Sequence, residues 1–224
     1  MYSLLRRELE KTQINTKIKK TNLLIVGAGG HTKSCIDVIH ASSRFTIQGL
    51  IGCGDQVGQM VLGYPVIGTD DDFALFRSDC AFAFIGIGQI KTANVRQNIF
   101  SNLRDLGYSF PTFVSSRAYV SSFASLGAGT IVMPGGVIGP GAKVGENCII
   151  NSQALVEHDA VVAEHCHIST GARINGSVTV DRGSFIGSGA ILREGVRIGE
   201  NSVIGAGQVI FKDVPAGSVV RGSL

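Results

Sequence analysis

Between residues 151 and 176 the chain reads NSQALVEHDAVVAEHCHISTGARING, and three of its five histidines, His158, His165 and His167, stand there within ten positions. Glu157 and Asp159 flank the first of them. Such residues can do two kinds of chemistry. A neutral imidazole takes up a proton near pH 7, and an adjacent carboxylate can fix its tautomer and stabilise the imidazolium. Alternatively, His165-Cys166-His167 has the look of part of a zinc ligand set. On a solvated corner the same residues need do neither, so the scaffold decides.

The scaffold is written in sixes. Every sixth residue from Val120 to Ile210 is aliphatic, sixteen in unbroken phase, and a mostly small residue such as Ala142, Cys148, Ala154, Ala160, Cys166 or Ala172 follows four positions later. A strict short period marks a solenoid. The unit predicts a short strand and then a corner, where the turning chain needs a small residue. Three such hexads close a triangular coil, which predicts a parallel β-helix. His158 is third in its hexad and so sits at a corner, with Asp159 beside it. Gly176 lies three hexads further on and is expected one coil along from His158. That would put a base on one coil beside a backbone N–H on the next. Cys166 takes the inward small position, which leaves His165 and His167 as outward-facing neighbours.

The first half follows other rules. NLLIVGAGGHTKSCIDVIHAS reads as a buried strand, a glycine turn and a helix. FTIQGLIG and CAFAFIGIG read as further buried strands, and TANVRQNIFSNLRDLGY as an amphipathic helix ending at Gly107. Alternating strands and helices predict a small Rossmann-like parallel sheet. The organisation expected is a charged extension over 1–20, an α/β domain over 21–110 and the β-helix over 111–224. The GAGGH turn offers Gly27, Gly29, Gly30 and His31 as an anion cradle at a helix N-terminus. It departs from GxGxxG, and Gly52-Cys53-Gly54 stand where an acidic ribose ligand would be expected, so the turn is a poor dinucleotide fingerprint.

Composition narrows the classes. Thirty glycines, 7% aromatics and no tryptophan suit many tight turns and thin packing. The net charge of +3 comes largely from residues 1–20, which hold six Lys and Arg against Glu8 and Glu10, so the body gives no electrostatic case for nucleic acid. Five scattered cysteines without a CxxC pair fit reduced thiols and a cytoplasmic setting. No apolar run approaches the ~20 residues of a membrane span.

The hexapeptide pattern resembles that of left-handed β-helix acyltransferases. With the preceding GAGGH domain and VEHDAVVAEHCHIS it resembles the NeuD/PglD family of bacterial sugar acetyltransferases over about residues 22–222. The resemblance implies acetyl-CoA as donor, a homotrimer, and direct transfer with His158 as general base and Asp159 as its partner. It implies substrate-side roles for Asn151 and for the Gly27–His31 turn, which would hold the nucleotide of a nucleotide-linked sugar. It places His167 near the acyl group, Gly176 at the acetyl carbonyl, and Ser188 and Ala206 along the pantetheine and adenine. This chain lacks the family's acids after the second strand unless Asp55 substitutes, and has GIGQ where the family has AIGN. The expected activity is acetylation of an amino sugar for a surface glycan, with O-acetylation of a sialic-type acid as the alternative. A zinc protein like the γ-class carbonic anhydrases and a non-catalytic scaffold are the rival classes; no metal is expected.

Overall fold

The computed structural model describes residues 20–222. The charged extension falls almost wholly outside them. The first strand, β1 (Thr21–Val26), begins where the hydrophobic pattern begins and is followed by α1 (Gly30–His40), β2 (Phe45–Ile51), the β3–β4 hairpin (Met60–Val61 and Tyr64–Gly68), α2 (Phe73–Phe76), β5 (Phe82–Ile85) and α3 (Asn94–Asp105). The sheet order is β3-β4-β2-β1-β5. Four strands run parallel, as the alternation predicts, but β3 pairs antiparallel with β4, so the sheet is mixed rather than parallel. The reason is local: only Leu62 and Gly63, both with left-handed φ, separate the two strands, too few residues for a crossover.

Successive residues of β1 point to opposite sides of this sheet. Leu23 and Ile25 pack with α1, whereas Leu24 and Val26 pack with Ile99, Phe100 and Leu103 of α3. Both sheet faces are therefore dry.

The second half winds as a left-handed β-helix of two-residue strands in three parallel sheets of seven, six and five strands among the described residues. Strand partners are three hexads apart through most of the helix, for example Ile149 with His167 and Leu155 with Arg173. The coil starts at Phe113–Val114, earlier than the unbroken aliphatic run. It ends out of phase, because Ile198 is bridged by Val214 and Val203 by Val219, so the last turn is shorter than three hexads. The in-phase aliphatic row and the small residues four places later fill the interior, where most are fully buried. Positive φ falls one residue before the small position, at Asn147, Gln153, Asp159 and His165 among others, so the chain turns there.

The three faces differ in what covers them. On the seven-stranded face the outward residues Phe113, Ile131 and Ile149 join the core of the α/β domain. Complete burial of one such isoleucine contributes about 2 kcal/mol. The six-stranded face shows solvent Tyr119, Val137, Leu155, Ile191 and Val209 around Arg173, and the five-stranded face shows Ser125, Lys143, Val161, Thr179 and Arg197. The first is docked, the second apolar and open, the third polar and open.

Candidate active site

His158 lies between the strands Leu155–Val156 and Val161–Val162, on the corner where the two open faces meet. That corner is opposite the docked face. The side chain is about half exposed, and Nδ1 bonds Asp159 Oδ2 at 3.0 Å. A carboxylate can only accept, so Nδ1 carries the proton and Nε2 keeps its lone pair, free of any partner among the described residues. Asp159 itself occupies the left-handed turn of the corner with φ of 58°, a conformation aspartate tolerates better than most residues. The Asp159 hydrogen bond raises the imidazole pKa above its ordinary value, helped by the charges of Asp159, Glu157 and Glu194.

Gly176 adjoins this ring. A Cβ built there would come 2.7 Å from both Cε1 and Nε2 of His158, so only glycine leaves the imidazole its place. The neighbouring Ser177 N–H is bonded to the His158 carbonyl, while the Gly176 N–H meets no acceptor among the described residues. The corner therefore joins a base with an open lone pair to an unused backbone donor one coil away. That pair can deprotonate a nucleophile and polarise a carbonyl together.

The other two histidines of the motif behave differently. His167 faces outward from the β-helix, as expected, but into the docked α/β domain, where it is buried. Its Nδ1 donates to the Gln89 carbonyl at 2.7 Å, and its Nε2 accepts from Asn151 Nδ2 at 3.2 Å. The Asn151 Oδ1 takes the Ser152 N–H, so the amide can present only its NH2 to the ring. Burial pushes the His167 pKa down to about 4, and the ring is a neutral, fully bonded strut. His165 also faces outward from the coil, as expected, but not into solvent. It is buried at the corner leading into the docked face, with Nδ1 against Asn147 Nδ2 at 2.9 Å and its ring edge-on to Phe100. Spacing put both residues outside the coil; it could not show that a second domain covers them.

The α/β domain contributes a cavity of about 770 Å³ lined by the Gly27–Thr32 turn, the ends of β2 and β5, and the loop after β4. Gly27, with φ of 120°, makes the turn, but its N–H is bonded to the Ile51 carbonyl and is not part of a cradle. The free donors are those of the first turn of α1, beginning at Gly30 and His31. His31 lines the cavity, lies 6.1 Å from the His167 ring, centroid to centroid, and contacts Cys35 Sγ at 3.4 Å. Burial, the nearby His167 and Arg96 lower its pKa to about 4. Asp55 is not among the lining residues. Asp70 and Asp71 are, at the start of the loop after β4, so the acids of this cavity follow the fourth strand rather than the second. The run Thr69-Asp70-Asp71-Asp72 directly after a strand was the available signal.

Ser188 is exposed and bonds Ser169, and Ala206 is exposed one coil further on. Both lie on the corner between the docked and apolar faces, the same corner as Asn151, and not on that of His158 and Gly176. The predicted site residues thus form three groups: His158 with Asp159 and Gly176; Asn151, Ser188 and Ala206 on the next corner, with His167 bonded to Asn151; and Gly27 and Gly29 to His31 in the cavity lining. Arg96 and Asn147, which connect the domains, escaped the sequence reading, and Gln89, which also connects them, was noticed only as the last residue of GIGQ. The only sign of Arg96 was an arginine on the apolar stripe of α3 with Ile99, Phe100 and Leu103.

An α/β domain docked on a hexapeptide β-helix, with a histidine–carboxylate corner, defines a two-domain acyltransferase of the hexapeptide class. Residues 22–103 match the PglD N-terminal domain, and residues 177–212 match the bacterial transferase hexapeptide (six repeats). The acetyltransferase domain of PglB from Neisseria gonorrhoeae is 30% identical with a TM-score of 0.83, covering 91% of this chain and 97% of its own; it has also been solved with acetyl coenzyme A. PerB from Caulobacter crescentus, solved with CoA and GDP-perosamine, is 32% identical with a TM-score of 0.82, covering 88% and 92%. WeeI from Acinetobacter baumannii, at 23% identity and a TM-score of 0.72, shares the fold. No curated protein sequence matches. The chain belongs to the NeuD/PglD family of bacterial sugar acetyltransferases, and it is an acyltransferase. Among the described residues no helix is long and apolar enough to cross a membrane.

Proposed function

We propose that this protein transfers the acetyl group of acetyl-CoA to the amine of a nucleotide-linked amino sugar, with His158 as general base. The observation that carries the reading is the His158 imidazole, oriented by Asp159 and lying against Gly176 with its N–H unused. Nε2 takes a proton from the acceptor nitrogen as that nitrogen attacks the thioester carbon. The Gly176 N–H receives the developing oxyanion. The C–S bond breaks and the imidazolium returns its proton to the leaving thiolate, so no covalent enzyme intermediate is needed.

The acceptor class is read from charge. Among the described residues, the charges of Asp159, Glu157 and Glu194 raise the His158 pKa, and all three side chains are carboxylates. Such a corner attracts an ammonium-bearing sugar and repels the carboxylate of a sialic-type acid. PerB, which is similar over nearly its whole length, was solved with a GDP-linked sugar, and the cavity of the α/β domain has room for a nucleotide. In this reading residues 21–110 hold the nucleotide, with the Gly27–His31 turn at its phosphates, and residues 111–224 carry out the transfer.

The working unit is a homotrimer. The cavity lies in the domain on the docked face, whereas His158 lies on the opposite corner, across the dry interior of the coil. A sugar held in one copy is therefore presented to His158 of another. The apolar open face, bounded on one side by the His158 corner and on the other by the Ser188–Ala206 corner, is the surface on which copies would meet, with acetyl-CoA along that seam. His167 and Asn151 then hold the docking of the domains rather than meeting the acyl group.

The test is a thiol-release assay with acetyl-CoA against GDP-perosamine, UDP-4-amino sugars, CMP-sialic acid and free sialic acids. Release with a nucleotide amino sugar is the expected outcome. Release with the sialic-type acids alone would overturn the acceptor assignment and leave the donor standing.

A further inference from the structure

Arg96 on α3 is the only Lys, Arg, Asp or Glu among the described residues that is buried, with 1% of its surface exposed. Its guanidinium has no carboxylate partner among those residues. Nη1 donates to the carbonyls of Ile85 at 3.2 Å and Ile87 at 2.6 Å, and Nη2 donates to the Asn147 carbonyl at 2.7 Å and to Asn147 Oδ1 at 2.6 Å. Nε is buried without an acceptor. Every partner is neutral. Burial pulls the pKa only to about 10, so the group is cationic at neutral pH. An uncompensated charge in such a place is costly, and the field it sets up has to end on something.

Its position says where that field falls. The carbonyls of Ile85 and Ile87 accept from the guanidinium, while Gly86, between them, and Ile87 line the cavity. The charge is felt at His31, a lining residue, whose protonation it opposes. Among the described residues no Lys or Arg side chain lines the cavity itself, although the first turn of α1 offers it free N–H groups. At another part of the wall Asp70 and Asp71 repel a phosphate and leave the α1 end for it. Through Asn147 the same guanidinium holds the β-helix corner whose Nδ2 bonds His165.

The geometry points to Arg96 as the fixed counter-charge for the diphosphate of the nucleotide-linked sugar, acting through the wall made by Ile85 to Ile87. It is a positioning residue that touches no substrate atom, and it rests on the nucleotide-sugar reading above. A phosphate on the far side of one peptide layer meets the charge through a low-dielectric path, where attraction is stronger than across water. Because the same side chain clasps Asn147, filling the cavity and seating the two domains become a single event.

The experiment is calorimetric titration of the full chain, wild type, Arg96→Gln and Arg96→Lys, with GDP, UDP, guanosine and uridine. Arg96→Gln keeps hydrogen-bond donors without charge, and Arg96→Lys keeps charge without the planar fork. The expected result is a loss of about tenfold or more in diphosphate affinity for Arg96→Gln. Nucleoside affinity should stay within about twofold, and Arg96→Lys should restore most of the diphosphate affinity. Equal weakening of nucleotide and nucleoside, or no weakening, overturns the proposal while the nucleotide reading stands. Failure of the wild type to bind either diphosphate overturns both. Should Arg96→Gln not fold, melting of the wild type and Arg96→Lys with inorganic pyrophosphate decides: a rise in midpoint above that in sodium chloride of equal ionic strength is expected, and its absence overturns the proposal.

Discussion

His158 and His167 stand nine residues apart on the same coil, and the molecule treats them as opposites. His158 is half exposed, leans on a carboxylate and has its pKa raised. His167 is buried, bonded at both nitrogens to neutral groups, and stays neutral down to about pH 4. The repeat assigns both to the outside of the coil. What separates them is the face: one corner is left open beside a missing side chain, and the other face is covered by a second domain. What packs on a β-helix histidine thus decides whether it stays exposed beside a carboxylate or becomes a buried, neutral strut.

Among substitutions that leave His158 in place, Gly176→Ala should have the largest effect. The added methyl would come 2.7 Å from the imidazole, which can swing away, so the fold should survive while the base is displaced. A misplacement of that size costs about 10²-fold in turnover with little change in thermal midpoint. An unchanged rate would mean that the ring works from another rotamer. Asp159→Asn comes next, with about tenfold lower turnover expected from loss of the carboxylate that orients the ring. In the proposed mechanism His158 can take the proton only when neutral, and Asp159 raises its pKa. The acid limb of the pH–rate profile should therefore move to lower pH in this variant; an unmoved limb would assign it to another group.

The strut is probed by stability. His167→Ala would leave the Gln89 carbonyl and the Asn151 amide unpaired at a buried junction, for a cost of about 2–4 kcal/mol in urea denaturation. The pH dependence is the smallest and most graded test. His31 and His167 have folded pKa values of about 4 against an ordinary 6.5, so the unfolded chain binds more protons between those values. Stability should be fully present above about pH 6.5 and fall as pH drops toward 4, by about 3 kcal/mol for each residue if they act independently. In the His167→Ala variant this slope should be shallower. A slope unchanged by the substitution would show that His167 is not held neutral.

Much of the β-helix was legible because one position in six has a single task. Val120 to Ile210 must fill a dry interior, and no other residue type does so at every coil. The corner position of His158, with Asp159 beside it and Gly176 one coil away, followed from that register. The docking did not, because Ile131 and Ile149 on the covered face read no differently from Val137 and Val161 on the open ones. That distinction depends on a surface far away in the chain from most of the coil. Arg96 was hidden for a related reason: an arginine on a helix reads as solvated until the elements around it close. The acids at Asp70 and Asp71 were visible, but only the parallel pairing of β4 with β2 brings that loop to the cavity.

The central claim is that the open corner, and not the covered face, carries the reaction. Its most direct test is thiol release from acetyl-CoA by His158→Ala, with whichever nucleotide amino sugar the wild type accepts. Turnover should fall by ~10²–10⁴ while the thermal midpoint and nucleotide affinity hold. Retained turnover in the folded variant would contradict the claim and remove His158 from the role of base.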